Sequence, residues 1–384
     1  MKTKISRFPV LSFAVVTMFA IINVPHSITA EPVELFVTQS PPGPQNADPA
    51  NWSGVLQYRL NASGGAMIAE AGVDKTNLAD PAGLAFRASS SELFVGNRWG
   101  NSQPSSISRF IYDSITRRLT TNGVITGNSL FGVCQIAFNP VTGEMFAANF
   151  GNGVSRFTFD TNGTAQPNGI IGDGSTRGVA VSPDGRRLYV TSATTTIRQF
   201  DLISDGELSS VTVPGSGGLH FFAFRARQLY VAAAFDNCVY RFAVGTNDDL
   251  TLLDSFTMQE PVGIAFSPDG LEMFVSGHQT SDLIYRWRYV PVSDSWIETG
   301  TFDAHSSLAG VLAIPGGGLD IAFTPPGGAV IYWPSHSSGW TLQQCSNPAA
   351  EDWSTSCFTV SDDGTNCCVT ISPPAGNLFF RLAK

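Results

Sequence analysis

The sequence predicts an all-β fold: a six-bladed β-propeller closed by a C-terminal strand joining the N-terminal blade, with a small C-terminal β module. Three observations predict it. A set of three short strands recurs along the chain, its clearest copy being residues 177–200, RGVAVSPDGRRLYVTSATTTIRQF. Gly (38) and Pro (23) are frequent while only 14% of residues are charged, which suits a turn-dense all-β chain with little helix. The N-terminal copy lacks its first strand, and a matching strand stands near the far end of the chain, as ring closure would require.

Residues 1–30 read as a leader. Lys2, Lys4 and Arg7 make a positive start, residues 10–24 an apolar run, and Ser27-Ile28-Thr29-Ala30 a small-residue cleavage site, the pattern of a secretory signal peptide. An apolar run of about 15 residues is short for a membrane span, so export is expected rather than anchoring. The mature chain is expected outside the cytoplasm, secreted or at the cell surface, as a monomer with no transmembrane segment. Loss of the leader removes three positive charges and leaves 19 basic against 31 acidic residues, a balance of −12. Such a surface repels phosphate backbones, which argues against nucleic acid as a partner.

Residues 31–325 hold the repeats. First strands read Gly83-Leu84-Ala85-Phe86, Gln135-Ile136-Ala137-Phe138, Gly178-Val179-Ala180-Val181, Phe221-Phe222-Ala223-Phe224 and Gly263-Ile264-Ala265-Phe266. Second strands follow at Leu93-Phe94-Val95, Met145-Phe146-Ala147, Leu188-Tyr189-Val190, Leu229-Tyr230-Val231 and Met273-Phe274-Val275. Third strands end in Arg109-Phe110, Arg156-Phe157, Gln199-Phe200, Arg241-Phe242 and Arg286-Trp287. Leu35-Phe36-Val37 and Gln57-Tyr58 begin the N-terminal copy, whose first strand is expected at Asp320-Ile321-Ala322-Phe323. A period of 42 to 57 residues with about four strands per unit makes six blades, seven being the alternative count. The repeated apolar positions are core, because each blade must stack on its neighbours. The Arg or Gln of each third strand can pack its stem between blades and send its head to backbone or solvent.

After Pro325-Pro326-Gly327-Gly328 the pattern changes, and residues 329–384 form short strands of a separate β module. Cys345, Cys357, Cys367 and Cys368 fall within 24 residues there, which in an exported chain suggests disulfides with three connectivities open. Zinc fits poorly, because adjacent Cys367 and Cys368 point to opposite faces of a strand.

In such a ring the loops that lead into first strands and out of second strands share one face, the channel mouth. Pro183-Asp184-Gly185 and Pro268-Asp269-Gly270 are turns on the other face and their acids are not candidates. The mouth should carry Gln135, Arg177, His220 and Asp320, with Asp80 and Glu260 just ahead of first strands and Asn97, Arg98, Asn149 and His278 after second strands. His305 maps to the same face, and Trp52 and Trp99 sit on its two longest loops. His220, Glu260, His278 and Asp320 are therefore the candidate acid–base groups, and Arg98, Arg177, His305 and Trp52 the candidate substrate contacts. Asn97 and Asn149 could join a carboxylate as metal ligands. The plainer alternative is a mouth that is polar only because water fills it. No Gly-x-Ser-x-Gly elbow, phosphate loop or His-Glu-x-x-His stands in the sequence.

Ser-Pro-Asp-Gly-Arg-Arg-Leu-Tyr-Val (182–190) and Ser-Pro-Asp-Gly-Leu-Glu-Met-Phe-Val (267–275) resemble the repeats of lactonase-type β-propellers, the YVTN-type group that includes 6-phosphogluconolactonase-like proteins. The resemblance covers most of residues 34–324 and implies a hydrolase of sugar or related lactones. Six-bladed sugar-lactonase propellers hold a divalent metal through Glu and Asn or Asp, which would implicate Glu260, Asn149 and Asn97 with a metal such as calcium. Trp333, Gly339-Trp340-Thr341-Leu342-Gln343, Trp353 and Phe379-Phe380-Arg381-Leu382 resemble a small C-terminal module of many exported bacterial proteins, which implies surface attachment or sorting. Two functions follow: a lactone hydrolase with water activated at the mouth, or a non-catalytic scaffold binding glycans or proteins. Convergence of His220, Glu260, His278 and Asp320 favours the first, and a channel plugged by apolar side chains the second.

Overall fold

The computed structural model describes residues 14–16, 33–39, 54–60, 68–69, 77–98, 105–114, 117–192, 194–215, 217–268, 270–277, 283–303, 308–315, 320–324, 328–334, 341–346, 353–362, 366–371 and 378–383. These residues are all-β, arranged in eight four-stranded antiparallel sheets with short 3-10 turns at Ala88–Ser90 and Ala234–Asp236. Six sheets repeat one plan. Sheet I joins Leu308–Pro315, Val33–Gln39, Gly54–Leu60 and Ile68–Ala69; sheet II joins Pro81–Arg87, Glu92–Asn97, Ser106–Asp113 and Arg118–Ile125. Sheet III holds Val133–Phe138, Met145–Asn149, Val154–Phe159 and Ala165–Ile171, and sheet IV holds Gly178–Val181, Arg187–Thr191, Thr196–Asp201 and Glu207–Thr212. Sheet V comprises Leu219–Arg225, Gln228–Ala233, Cys238–Val244 and Leu250–Thr257, and sheet VI Pro261–Phe266, Glu272–Gly277, Leu283–Val290 and Ser295–Asp303.

Apolar residues alternate between the two faces of each strand, so every sheet has two sticky faces and needs a neighbour on each side. Ala85 and Phe94 of sheet II pack with Ile136 and Phe157 of sheet III; Val190 of sheet IV packs with Phe146 of sheet III, and Tyr189 with Phe222 of sheet V. Sheet V meets sheet VI around Tyr230, Trp287 and Trp296. Ala265 and Phe274 of sheet VI then pack on Leu35 and Val37 of sheet I, and Phe36 of sheet I on Leu93 of sheet II. The first strands touch in the same order, and Leu308–Pro315 lies against both Pro261–Phe266 and Pro81–Arg87. Among the described residues, each of the six sheets therefore packs on its neighbours in chain order, sheet VI meeting sheet I.

A charged layer stitches the outer parts. Phe94 faces Arg109 across its sheet and Phe146 faces Arg156, so each Arg stem rides over an aromatic ring, as expected for the third-strand residue. The head meets an acid that opens the second strand: Glu92 for Arg109, Glu144 for Arg156, Glu272 for Arg286. A residue with positive φ in the hairpin of the following sheet then reaches back. Asp205 bonds Arg156 (2.7 Å) and Asp294 bonds Arg241 (3.0 Å), while the Asp248 carbonyl accepts from Gln199 (2.7 Å).

Two expectations are corrected. The strand that completes the N-terminal sheet is Leu308–Pro315, paired with Val33–Gln39, and not residues 320–323. Asp320–Thr324 pairs instead with Gly328–Pro334 in the C-terminal module, which moves the boundary from 325–329 back to between 315 and 320. The closing strand shares a close backbone approach with two others: a Cβ at Gly310 would lie 2.2 Å from the Ala82 carbonyl oxygen, just as one at Gly83 would meet Cys134 and one at Gly178 would meet His220.

The C-terminal module has two sheets, one from Asp320–Thr324, Gly328–Pro334, Asn366–Ile371 and Ser361–Asp362, the other from Ala14–Val16, Leu378–Ala383, Thr341–Cys345 and Ser354–Thr355. They share a core of Ile331, Trp333, Leu342, Val369 and Phe380, a small sandwich. All four of its cysteines are free thiols here, so the expected disulfides are not formed in this structure. Ala14–Val16 pairs with residues of Leu378–Ala383, although residues 1–30 were expected to lie outside the fold. No described helix is long and apolar enough to cross a membrane.

Candidate functional site

At the mouth end the first strands converge. Ala82, Cys134, Phe221 and Val262, from sheets II, III, V and VI, form one buried cluster there. Below it, Gln135 reaches across the ring. Its Oε1 accepts from the Val179 and Phe222 amides (both 3.0 Å) and its Nε2 donates to the Phe222 carbonyl (2.7 Å). One side chain thus ties sheets III, IV and V by inner-strand groups that have no further strand to pair with. Beyond this plug a cavity of about 930 Å3 extends between all six inner strands toward the opposite face, where Ala88, Ser89 and Asn139–Gly143 line it. Among the described residues, apolar side chains from four sheets thus fill space at the face where chemistry was expected.

Above the plug lies an arc of cationic and imidazole groups. Arg98 follows the second strand of sheet II and pairs with Asp80 (3.2 Å). Arg177 leads into sheet IV, its guanidinium 5.6 Å from the centre of the Phe150 ring and 2.8 Å from Nε2 of His220 in sheet V. Among the described residues Arg177 makes no salt bridge, unlike the third-strand arginines. Burial lowers its pKa and the neighbouring Arg98 charge pushes the same way, against an opposing influence of Cys134. Arg98 and Arg177 therefore share one neighbourhood. The Cys134 thiol beneath them is pushed up to about 11 by burial, against the pull of both arginines, so it stays a neutral thiol and not a nucleophile.

A guanidinium only donates, so Nε2 of His220 must accept and Nδ1 must carry the ring proton. While that bond stands, the imidazole has no lone pair for a substrate proton; His220 is an orienting partner for Arg177 rather than a base. Its carbonyl accepts from Thr191 (2.7 Å), fixing the turn that presents the ring.

The metal expectation fares differently. Asn97 is 1% exposed; its Oδ1 accepts from the Ala79 amide (3.0 Å) and its Nδ2 donates to Ser106 and Ser108. Asn149 is fully buried; its Oδ1 accepts from the Phe131 amide (3.1 Å) and its Nδ2 donates to Gly153 and Ser155. Both amides latch the loop before a first strand to the loop after a second strand. Asn237 does the same for Glu260, whose backbone sits at φ 42° with its amide on Asn237 Oδ1 (3.0 Å). The side-chain oxygens of Asn97 and Asn149 are thus each engaged by a backbone amide. No cluster of three or more His, Cys, Asp or Glu among the described residues could hold a metal. Asp320, paired opposite Tyr332 in the C-terminal module, does not lead into a first strand of the ring. His278, His305 and Trp52 lie outside the described residues, as does Trp99. His220 and Arg177 are brought together, with Arg98 near; Glu260 stands at the mouth end of sheet VI.

Sequence reasoning missed the aromatic residues of this face. Phe131 (48% exposed), Phe150 (38%) and Phe235 (65%) project here. Phe150 directly follows the Asn149 latch and Phe131 is the residue that latch bonds, a positional signal visible only once the latch is known.

No family model matches the chain, and no curated protein matches it. Solved structures do. A chain of the nidogen/laminin complex is similar at 15% identity and a TM-score of 0.55, over 73% of this chain and 98% of that one. A periplasmic gluconolactonase of Pseudomonas aeruginosa is similar at 16% identity and a TM-score of 0.54, over 89% and 100%. A candidate 6-phosphogluconolactonase of Bacteroides fragilis is similar at 15% identity and a TM-score of 0.53, over 94% and 100%. Likeness at these identities speaks to fold alone, and what it supports is a β-propeller architecture for this chain.

Proposed function

We propose that this chain is an exported six-bladed propeller that binds a carboxylate-bearing sugar or glycan on its mouth face, without turning it over. The observation that carries this reading is Arg177: a part-buried guanidinium aimed by His220, backed by Phe150, and without a salt bridge among the described residues. A carboxylate would pair with its fork. The apolar cluster at the mouth end and the Gln135 bridge beneath it favour binding on a surface over reaction inside a deep pocket. In this reading the leader exports the chain and the C-terminal sandwich attaches or sorts it at the surface, as a monomer.

The second reading, a lactone hydrolase, is favoured by the likeness to a periplasmic gluconolactonase. Glu260, at the start of sheet VI, would then supply the base, and Arg177 would hold the substrate. Calorimetry with gluconate, galacturonate and glucose, beside a pH-stat assay with glucono-δ-lactone, separates the two. Binding of both acids but not glucose, lost in Arg177→Met and with no proton release from the lactone, supports the binding reading. Lactone turnover lost in Glu260→Gln establishes the hydrolase instead. Acid binding that Arg177→Met leaves unchanged sinks the assignment of Arg177.

A further inference from the structure

We infer that the ligand is an acidic oligosaccharide rather than a single sugar acid, lying along an aromatic track from sheet III to sheet V; the inference rests on the carboxylate reading of Arg177. The track is built from Phe131 and Phe150 at sheet III, Arg177 at sheet IV, and His220 and Phe235 at sheet V. The three rings are 38 to 65% exposed, while Ala82, Cys134, Phe221 and Val262 on the same face are buried.

Their exposure is built in. Phe131 lies over Gly151, where a Cβ would come 3.0 Å from the ring. Phe235 lies over Gly218, where a Cβ would come 2.6 Å from two ring carbons. Phe131 and Phe235 thus each occupy space that a side chain on the glycine would need. Gly218 has φ +71°, so its conformation also disfavours any larger residue. Backbone bonds hold the supports: the Phe150 amide donates to the Phe131 carbonyl (2.9 Å), and the Ala234 amide to the Gly218 carbonyl (3.2 Å). Rings fixed before the ligand arrives lose little entropy on binding.

The chemistry that matches alternates. An apolar C–H face of a pyranose stacks on an aromatic ring, and a carboxylate on the sugar meets the guanidinium standing between the rings. Phe150 contacts the same guanidinium that would take the carboxylate, so the ring and the charge address one sugar unit. Phe235, a sheet further on, is placed for another unit of the same chain. A uronic acid oligomer offers both features in every residue.

The test uses the full chain and three probes: galacturonate, tri-galacturonate, and a neutral trisaccharide of the same linkage. The trimer should bind about tenfold more tightly than the monomer, and Phe235→Ala should remove that gain while leaving the monomer unchanged. Arg177→Met should weaken both acidic probes, and the neutral trisaccharide should bind weakly to the parent chain. Equal affinity for monomer and trimer, or a Phe235→Ala variant that keeps the gain, overturns the track and leaves the carboxylate reading standing. An Arg177→Met variant that binds both acids normally overturns the reading beneath it.

Discussion

The buried ion pair between Glu144 and Arg156 offers a direct test of how the sheets are held together. Glu144 accepts from Arg156 Nε (2.7 Å) and Nη2 (3.2 Å) and from Asn168 Nδ2 (2.7 Å), while Arg156 Nη1 reaches Asp205 of the next sheet (2.7 Å). Glu144 and Arg156 side chains are 11% and 10% exposed, but Asp205 is 56% exposed. Burial alone would lower the Arg156 pKa; its bonds to Glu144 and Asp205 raise it, so the charge persists. Removing Glu144 leaves a buried guanidinium and costs about 3–5 kcal/mol, whereas removing the exposed Asp205 costs about 0.2–1 kcal/mol. At roughly 2 °C per kcal/mol for a chain this long, Glu144→Ala should lower Tm by about 6–10 °C and Asp205→Ala by about 2 °C or less. Replacing both buried partners with apolar residues, Glu144→Leu with Arg156→Met, should recover most of the loss, because no orphan charge remains. Thermal unfolding followed by near-ultraviolet circular dichroism reads all three. Equal losses for Glu144→Ala and Asp205→Ala, or a double variant as unstable as the single, would refute the reasoning.

Other consequences follow from the same geometry. Gln135→Leu keeps the bulk but orphans the Val179 and Phe222 amides, so hydrogen exchange at those two positions should accelerate more than elsewhere in their strands; uniform protection would count against the bridge. Gly178→Ala places a Cβ 2.2 Å from the His220 carbonyl oxygen, and should lower Tm and weaken any ligand held by Arg177, at a cost of about 1–3 kcal/mol. Cys134, buried and with its pKa near 11, should resist iodoacetamide in the native protein at pH 8 and react only on unfolding. Asp160 and Asp201 have carboxylates held below the usual range, chiefly by the backbone amides of Thr164 and Ser204 respectively. Since their folded values lie below the unfolded value of about 3.9, their stabilisation is present above that pH and lost as pH falls through the folded values. Tm should therefore hold steady from about pH 7 to pH 5 and decline below about pH 4; a decline that begins near pH 6 would contradict it.

Strand identity was readable because it rests on local rules. Alternating apolar residues, Pro-Asp-Gly turns and a repeated register place Leu93-Phe94-Val95 or Leu188-Tyr189-Val190 in a sheet whatever surrounds them. The third-strand Arg was assigned correctly because a long stem and a charged head have few places to go. Its partners were not seen, although a Glu stands just before Leu35, Leu93, Met145 and Met273. The closing strand was misplaced because Asp320-Ile321-Ala322-Phe323 and Gly310-Val311-Leu312-Ala313 look alike as apolar runs. What separates them is tertiary pairing, Leu308–Pro315 with Val33–Gln39 and Asp320–Thr324 with Gly328–Pro334.

The sequence by itself determined the repeating strands of sheets II to VI, because these depend on neighbours a few residues apart. Tertiary structure alone decided what the mouth residues do. Asn97 and Asn149 became loop latches, Gln135 a bridge across the ring, and His220 the acceptor that aims Arg177. A polar side chain on a converging face takes the nearest unsatisfied partner, and that partner can lie 43 or 87 residues away in the chain.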